Sequence, residues 1–175
     1  HEWMFEACNE EQVQRYVLPL MSGERKECYA ITEAESGSDV VVNTTAERVD
    51  GGYRVNGEKW FVTSANLADY YFIQARLVDG PHAGSDALFF LDHGTPGIEV
   101  LRTPEFTHTF DHHHQEIRFT DVFIPRENLI GEARVVKRAN SLVFTQGEVR
   151  QESDNVVVAT CTANFMRIGL RLGNK

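Results

Sequence analysis

The chain has 175 residues, 42% of them hydrophobic, and a formal net charge of −9; that length suits one domain with a sizeable core, or a domain with an appendage. The acidic balance excludes a nucleic-acid footprint, which needs clustered Lys and Arg, and no apolar run approaches the roughly 20 residues of a membrane-spanning helix. Three cysteines without a Cys-x-x-Cys pair do not make a disulfide framework, and no signal peptide opens the chain, so a cytoplasmic protein is expected, its start at His1 reading as if cut from something longer.

In chain order, Asn9-Glu-Glu-Gln12 has the spacing of a capping box and predicts a helix over 10–18 that ends near Pro19. Residues 28–33 alternate small, aromatic and apolar side chains and predict a half-buried strand. The strand breaks at Glu35-Ser-Gly-Ser-Asp39, where successive backbone N–H groups beside a glycine can form a concave nest for phosphate oxygens. Further strands are expected over 39–49, 53–55, 59–63, 70–77, 87–91, 98–101 and 116–123. Asp50-Gly-Gly and Asn56-Gly are read as hairpin turns, and 79–85 as a polar loop. Short strands punctuated this way read as a mainly antiparallel β-barrel or sandwich.

Within 59–63 a period of two places Lys59, Phe61 and Thr63 on one face, and Trp60, Val62 and Ser64 on the other. An aromatic ring and a hydroxyl two residues apart can cover a planar ring system and donate to a heteroatom at its edge. Four histidines, His108 and His112, His113 and His114, fall within seven residues. In an extended segment His108, His112 and His114 would share a face with Glu116, but no second Cys/His cluster completes a tetrahedral set. A solvated or hydrogen-bonded strand end is expected rather than a metal site. The tail reads as two long strands, 134–150 and 156–168, joined by a polar turn at 151–155.

Three ordered blocks carry a family resemblance. Cys28-Tyr-Ala-Ile-Thr-Glu-Ala-Glu-Ser-Gly-Ser-Asp39, Val55-Asn-Gly-Glu-Lys-Trp-Phe-Val-Thr63 and Phe119-Thr-Asp-Val-Phe-Ile-Pro-Arg-Glu-Asn-Leu-Ile-Gly-Glu132 resemble the middle domain of the acyl-CoA dehydrogenase family, over residues 10–132. The resemblance implies an FAD site in which Tyr29, Ile31 and Thr32 line the flavin, Gly37 and Ser38 approach its pyrophosphate and the acyl-CoA, and Thr63 bonds the isoalloxazine edge. Phe61 stands where the family has its covering tryptophan, while Ala34 and Ser36 replace the family's proline and alanine. The stretch 110–116, Phe-Asp-His-His-His-Gln-Glu, departs from the family's Gly-x-Arg-x-Ser-x-Thr-like pattern.

The division implied is the end of an N-terminal helical segment over 1–26, a β-barrel flavin and acyl-CoA domain over 27–132, and an atypical β-hairpin appendage over 133–175. The implied chemistry is α,β-dehydrogenation of an acyl-CoA, with electrons passing to an electron-transfer flavoprotein and a homo-oligomeric parent enzyme. No catalytic base is assigned here: the family's base lies in a C-terminal helical domain, and Glu33, Glu35 and Glu116 are read as solvated or hydrogen-bonded surface groups. The tail resembles, over a short stretch, the closing hairpin of hot-dog acyl-CoA thioesterases. Two alternatives therefore stand beside the leading reading: a thioesterase-like protein, and a catalytically silent β module whose hairpin covers a sheet edge.

Overall fold

A computed structural model describes residues 5, 7–36, 42–107, 110–138, 142–150 and 157–166. The helical stretch opens as the capping box predicts. The Gln12 amide N–H donates to Asn9 Oδ1 at 2.8 Å and the Asn9 N–H to Gln12 Oε1 at 3.1 Å, starting α1 (Glu10–Gln12). The stretch does not stop at Pro19. It widens into a π-helical segment (Val13–Val17) and resumes as α2 (Leu18–Ser22), closed by Gly23 at φ 78°.

A proline in a regular helix leaves the carbonyl four residues earlier without a donor and crowds it. The wider turn relieves the crowding, and the orphaned Arg15 carbonyl accepts from Arg25 Nη1 at 3.1 Å. The expectation of a helix ending near Pro19 is thus corrected.

Among the described residues ten strands form a single sheet: β1 (Glu27–Ala30), β2 (Thr45–Val49), β3 (Gly52–Thr63), β4 (Tyr70–Leu77), β5 (Asp86–Asp92), β6 (Ile98–Arg102), β7 (His114–Pro125), β8 (Leu129–Arg138), β9 (Leu142–Arg150) and β10 (Val157–Met166). The order is β10-β9-β8-β5-β4-β2-β3-β7-β6, with β1 beside β4, so the mainly β fold is as expected and the sheet runs open from β10 to β6. All pairings are antiparallel except β1 and β2 with β4. These two share one edge of β4: β1 pairs residues 70–73 and β2 pairs 76–77. They behave as one strand interrupted by the excursion 31–44.

The core lies on one face of the sheet, where Tyr53, Val55, Val62, Tyr71, Ile73, Leu77, Phe89, Ile117 and Phe119 are buried together. The start of β4 is buried on both faces because the helical stretch covers the other side: Tyr16 stacks on Phe90 at 4.2 Å and meets Tyr70 edge-on at 5.0 Å. Gln12 Nε2 donates to the carbonyls of Glu127 at 2.6 Å and Leu129 at 2.9 Å, fastening the helix to the start of β8. Among the described residues no helix is long and apolar enough to cross a membrane.

Four expectations are corrected. The strand expected over 28–33 leaves the ladder after Ala30, and the one expected over 39–49 begins at Thr45, residues 39–41 lying outside those described. Asn56-Gly57 is not a turn: β3 runs through it, and its register against β7 shifts between Val55 and Gly57, a bulge. The bulge is held from both sides, Asn56 Nδ2 donating to Asp121 Oδ1 at 3.2 Å and the Asp121 N–H to Asn56 Oδ1 at 2.8 Å. The segment expected as one strand over 134–150 is split between β8 and β9, which pair antiparallel. β8 covers the edge of β5, and β10 pairs with β9 as the tail hairpin predicts, its turn at 151–155 lying outside the described residues.

Gly57 carries the close approach of β3 to the returning excursion. Its φ is 153°, and a Cβ there would sit 2.5 Å from Thr44 Oγ1 and 2.6 Å from Thr44 Cα. Gly57→Ala should lower stability by about 2–4 kcal/mol in urea unfolding. Gly84→Ala, at φ 85° with nothing within 4 Å, should cost only the ~1–2 kcal/mol of a left-handed alanine. Equal midpoints for the two variants would contradict the close contact.

Candidate functional site

The excursion 31–44 is closed at its base by one side chain. Glu33, 5% exposed, accepts from the Asn43 N–H at 2.6 Å, the Thr44 N–H at 2.9 Å and Lys59 Nζ at 2.8 Å. Lys59 is 0% exposed and also donates to the Ile31 carbonyl at 3.1 Å. One carboxylate therefore joins the exit of the excursion to its return, and one ammonium ties both to β3. Burial pushes the Glu33 carboxyl up, but Lys59 with the Thr44 and Asn43 donors outweighs it, so the group sits below the ordinary carboxylate range. Burial pulls the Lys59 ammonium down, and Glu33 restores it only in part. The expectation of Glu33 as a surface group is corrected, because an ion this buried must be paired. Glu116, 6% exposed, is corrected likewise: Arg102 holds it, Nε donating to Oε2 at 3.1 Å. Glu35 is exposed.

The faces of β3 also differ from a simple alternation. Lys59 pairs with Ile117 and Val62 with Gln115, so three steps on β3 oppose two on β7. Phe61 takes up the extra residue at φ 54°. Lys59 and Val62 therefore both point inward, each 0% exposed, and Lys59 does not share the face of Phe61 and Thr63. Phe61 is 48% exposed and Thr63 is exposed. Trp60 is half-buried, edge-on to Phe61 at 5.8 Å, and its indole N–H finds no acceptor among the described residues.

The Trp60 amide donates to the Thr32 carbonyl at 2.8 Å, bringing segment 29–32 against the bulge. Of the residues singled out from sequence, Tyr29, Thr32, Phe61 and Thr63 are exposed and Ile31 is half-buried. Tyr29 tilts onto Phe72 at 5.2 Å. Gly37 and Ser38 lie outside the described residues; the turn leading to them is formed by the Ser36 N–H donating to the Glu33 carbonyl at 3.0 Å.

The histidines pair with hydroxyls. Thr63 Oγ1 and His114 Nδ1 are 2.8 Å apart, as are Ser64 Oγ and His112 Nδ1. His108 lies outside the described residues, and among those described no group of three or more His, Cys, Asp or Glu could hold a metal ion. Sequence reading missed the Glu33–Lys59 pair and the two imidazole–hydroxyl pairs. The signal for the first was available: a lysine amid Trp, Phe and Val, and a glutamate ending an apolar strand, each needing a partner if buried.

Residues 28–122 match the family described as acyl-CoA dehydrogenase, middle domain. An acyl-CoA dehydrogenase of Bacillus subtilis is 29% identical over 163 residues, 93% of this chain and 38% of that protein. A match of 163 residues in 175 leaves only 12 outside it, so it extends into the tail. Butyryl-CoA dehydrogenase of Megasphaera elsdenii superposes with a TM-score of 0.63 at 29% identity, covering 70% of this chain and 32% of that one. The FAD complex of PigA superposes with a TM-score of 0.64 at 31% identity, covering 73% and 34%. The chain spans about a third of the length of the curated relatives it matches.

Removing one partner of the buried pair should be costly. Glu33→Gln leaves Lys59 buried without its counter-ion and should lose about 3–5 kcal/mol in chemical unfolding at neutral pH. The Glu33 carboxyl is held low in the folded chain, so its contribution is fully present above the unfolded glutamate value of about 4.3 and is lost as pH falls through the lower folded value. The parent's stability should therefore fall along an acid limb that Glu33→Gln flattens; identical acid limbs would contradict the assignment.

Proposed function

Because the chain belongs to the acyl-CoA dehydrogenase family, we propose that it supplies one wall of an FAD site in an enzyme that dehydrogenates acyl-CoA thioesters. The observation that carries the reading is the outward face made by the β3 bulge, where the ring of Phe61 and the Thr63 hydroxyl are exposed on a strand whose Trp60 amide is bonded to Thr32, in the segment that also exposes Tyr29. An uncovered aromatic ring beside hydroxyls fits a flat heteroaromatic system: the ring supplies stacking area, and the hydroxyls meet edge heteroatoms. Tyr29, Ile31 and Thr32 would line the flavin, and Phe61 would cover it in place of an indole. Gly37 and Ser38 would approach pyrophosphate and acyl-CoA from the loop that Glu33 closes at its base.

When bound, FAD would accept the β hydrogen of the acyl chain as hydride at its N5. The protein's part here is orientation. Thr63 presents a hydroxyl to the flavin edge, and the Lys59–Glu33 pair holds the two flavin-facing segments together. We assign no catalytic base to these residues: Lys59 and two backbone donors hold the Glu33 carboxyl below its ordinary range, which weakens it as a proton acceptor, and Arg102 occupies the Glu116 carboxylate. The base would come from the helical part that completes the family's longer chains, and this chain alone would not turn over. We assign an electron-transfer flavoprotein as acceptor, a homo-oligomeric assembly and a cytoplasmic setting on the same resemblance. The match to the Bacillus dehydrogenase extending into the tail favours this reading over a thioesterase.

Titration of the isotopically labelled chain with FAD, followed by amide NMR, tests the proposal. Shifts should concentrate at Tyr29, Thr32, Phe61 and Thr63, and Thr63→Val should weaken binding about tenfold, the cost of leaving a buried flavin heteroatom without its donor. Trp60→Phe, which removes an N–H with no acceptor among the described residues, should leave the affinity within about twofold. Perturbations centred elsewhere, or a strong loss in Trp60→Phe with none in Thr63→Val, would overturn it.

A further inference from the structure

We propose that His114 is a positioning residue for the Thr63 hydroxyl, supplying the hydrogen bond that turns the hydroxyl proton toward an acceptor on the flavin edge; this rests on the reading of that face as a flavin site. Thr63 and His114 are directly opposed across β3 and β7, and Oγ1 and Nδ1 are 2.8 Å apart. The imidazole is fixed in turn, Phe106 meeting it edge-on at 4.7 Å. The strand entry is pinned to the 63–66 turn at neighbouring points. The Ser64 N–H donates to the His113 carbonyl at 2.9 Å, the His113 N–H to Asn66 Oδ1 at 3.0 Å, and Asn66 Nδ2 to the Asp111 carbonyl at 2.8 Å. The contact is therefore built into the ladder.

A threonine hydroxyl has one proton and two lone pairs. Thr63 Oγ1 also lies 3.4 Å from the Phe61 carbonyl, which can only accept. With that partner alone the proton would point at the carbonyl, leaving only lone pairs for the ligand. An imidazole differs because Nδ1 accepts in one tautomer and donates in the other. When Nδ1–H donates into Thr63 Oγ1, the Thr63 proton is released toward the ligand. When Nδ1 accepts, Thr63 presents a lone pair instead. Oxidised flavin offers a bare N5 acceptor and reduced flavin an N–H donor, so His114 lets one hydroxyl serve both, and its donor role is needed for the oxidised form.

The test compares the affinities of oxidised and dithionite-reduced FAD for the chain by NMR titration, with the 15N shifts of the His114 ring as a readout needing no flavin. His114→Phe should weaken the oxidised form roughly fivefold and leave the reduced form within about twofold. His114→Asn, whose side-chain amide lies where Nδ1 does and can donate, should restore the oxidised affinity. In the flavin-free chain Thr63→Val should move the Nδ1 resonance. Equal losses for both redox forms, no loss at all, or an unmoved Nδ1 resonance would overturn the role of His114. If Thr63→Val still weakens FAD in that case, the flavin reading stands without it. If neither variant changes binding in either redox state, the flavin reading fails as well.

Discussion

The buried contact between Glu33 and Lys59 is the constraint on which the candidate site depends. β1 and β2 lie along one edge of β4 as a single interrupted strand, and everything between them must leave the sheet and come back. Burying two charges costs several kcal/mol per ion unless their remaining hydrogen-bonding capacity is used. Here Glu33 takes two backbone N–H groups as well as the ammonium, and Lys59 takes a backbone carbonyl besides the carboxylate. The net gain from such a pair is small, because its attraction is offset by desolvation, but losing one partner is costly. These bonds tie 31–33 and 43–44 to each other and to β3, so the exposed residues next to them sit on a braced backbone.

The second device is local strain on β3 and β7. Among the described residues three that are not glycine have positive φ, namely Phe61, Ser64 and Asp121, and each sits at or next to a bulge or turn between these two strands. Without the extra residue at Trp60-Phe61, strict alternation would send Thr63 inward with Lys59. With it, Val62 fills the core and Thr63 faces out. A bulge that re-aims a side chain has to be held against slippage. The Asn56–Asp121 bonds on one side and the hydroxyl–imidazole pairs on the other do this from both ends.

How legible this was in the sequence follows from the same physics. The core strands were readable because β4 and β5 are short aromatic and aliphatic runs bounded by turn residues and β7 alternates, and the capping box at Asn9 because it is a local contact. Asn56-Gly57 misled because a hairpin and a bulge demand the same residues: a glycine where no Cβ fits and a short side chain that bonds backbone. Pro19 misled because the carbonyl it orphans is satisfied by Arg25, a tertiary contact invisible to local pattern. The face of Lys59 was misassigned because one inserted residue reverses every side chain after it. Gly37 and Ser38 stay readings from sequence.

The two kinds of evidence meet at residues that sequence could place but not orient. Thr32 and Thr63 lie about thirty positions apart, and nothing in either motif says they approach. What ties their two segments together is a backbone bond from Trp60 to Thr32 and the ion pair beside it, between Glu33, one residue after Thr32, and Lys59, one residue before Trp60. The inner side chains Glu33, Lys59 and Val62 are saturated with partners or packing, which leaves the outer ones, Thr32, Phe61 and Thr63, available to something else. That division explains why the same short segments hold both buried ions and an exposed ring and hydroxyls: the ion pair ties segment 31–33 to β3, and of the outer groups Thr63 adds its contact with His114 to hold the bulge.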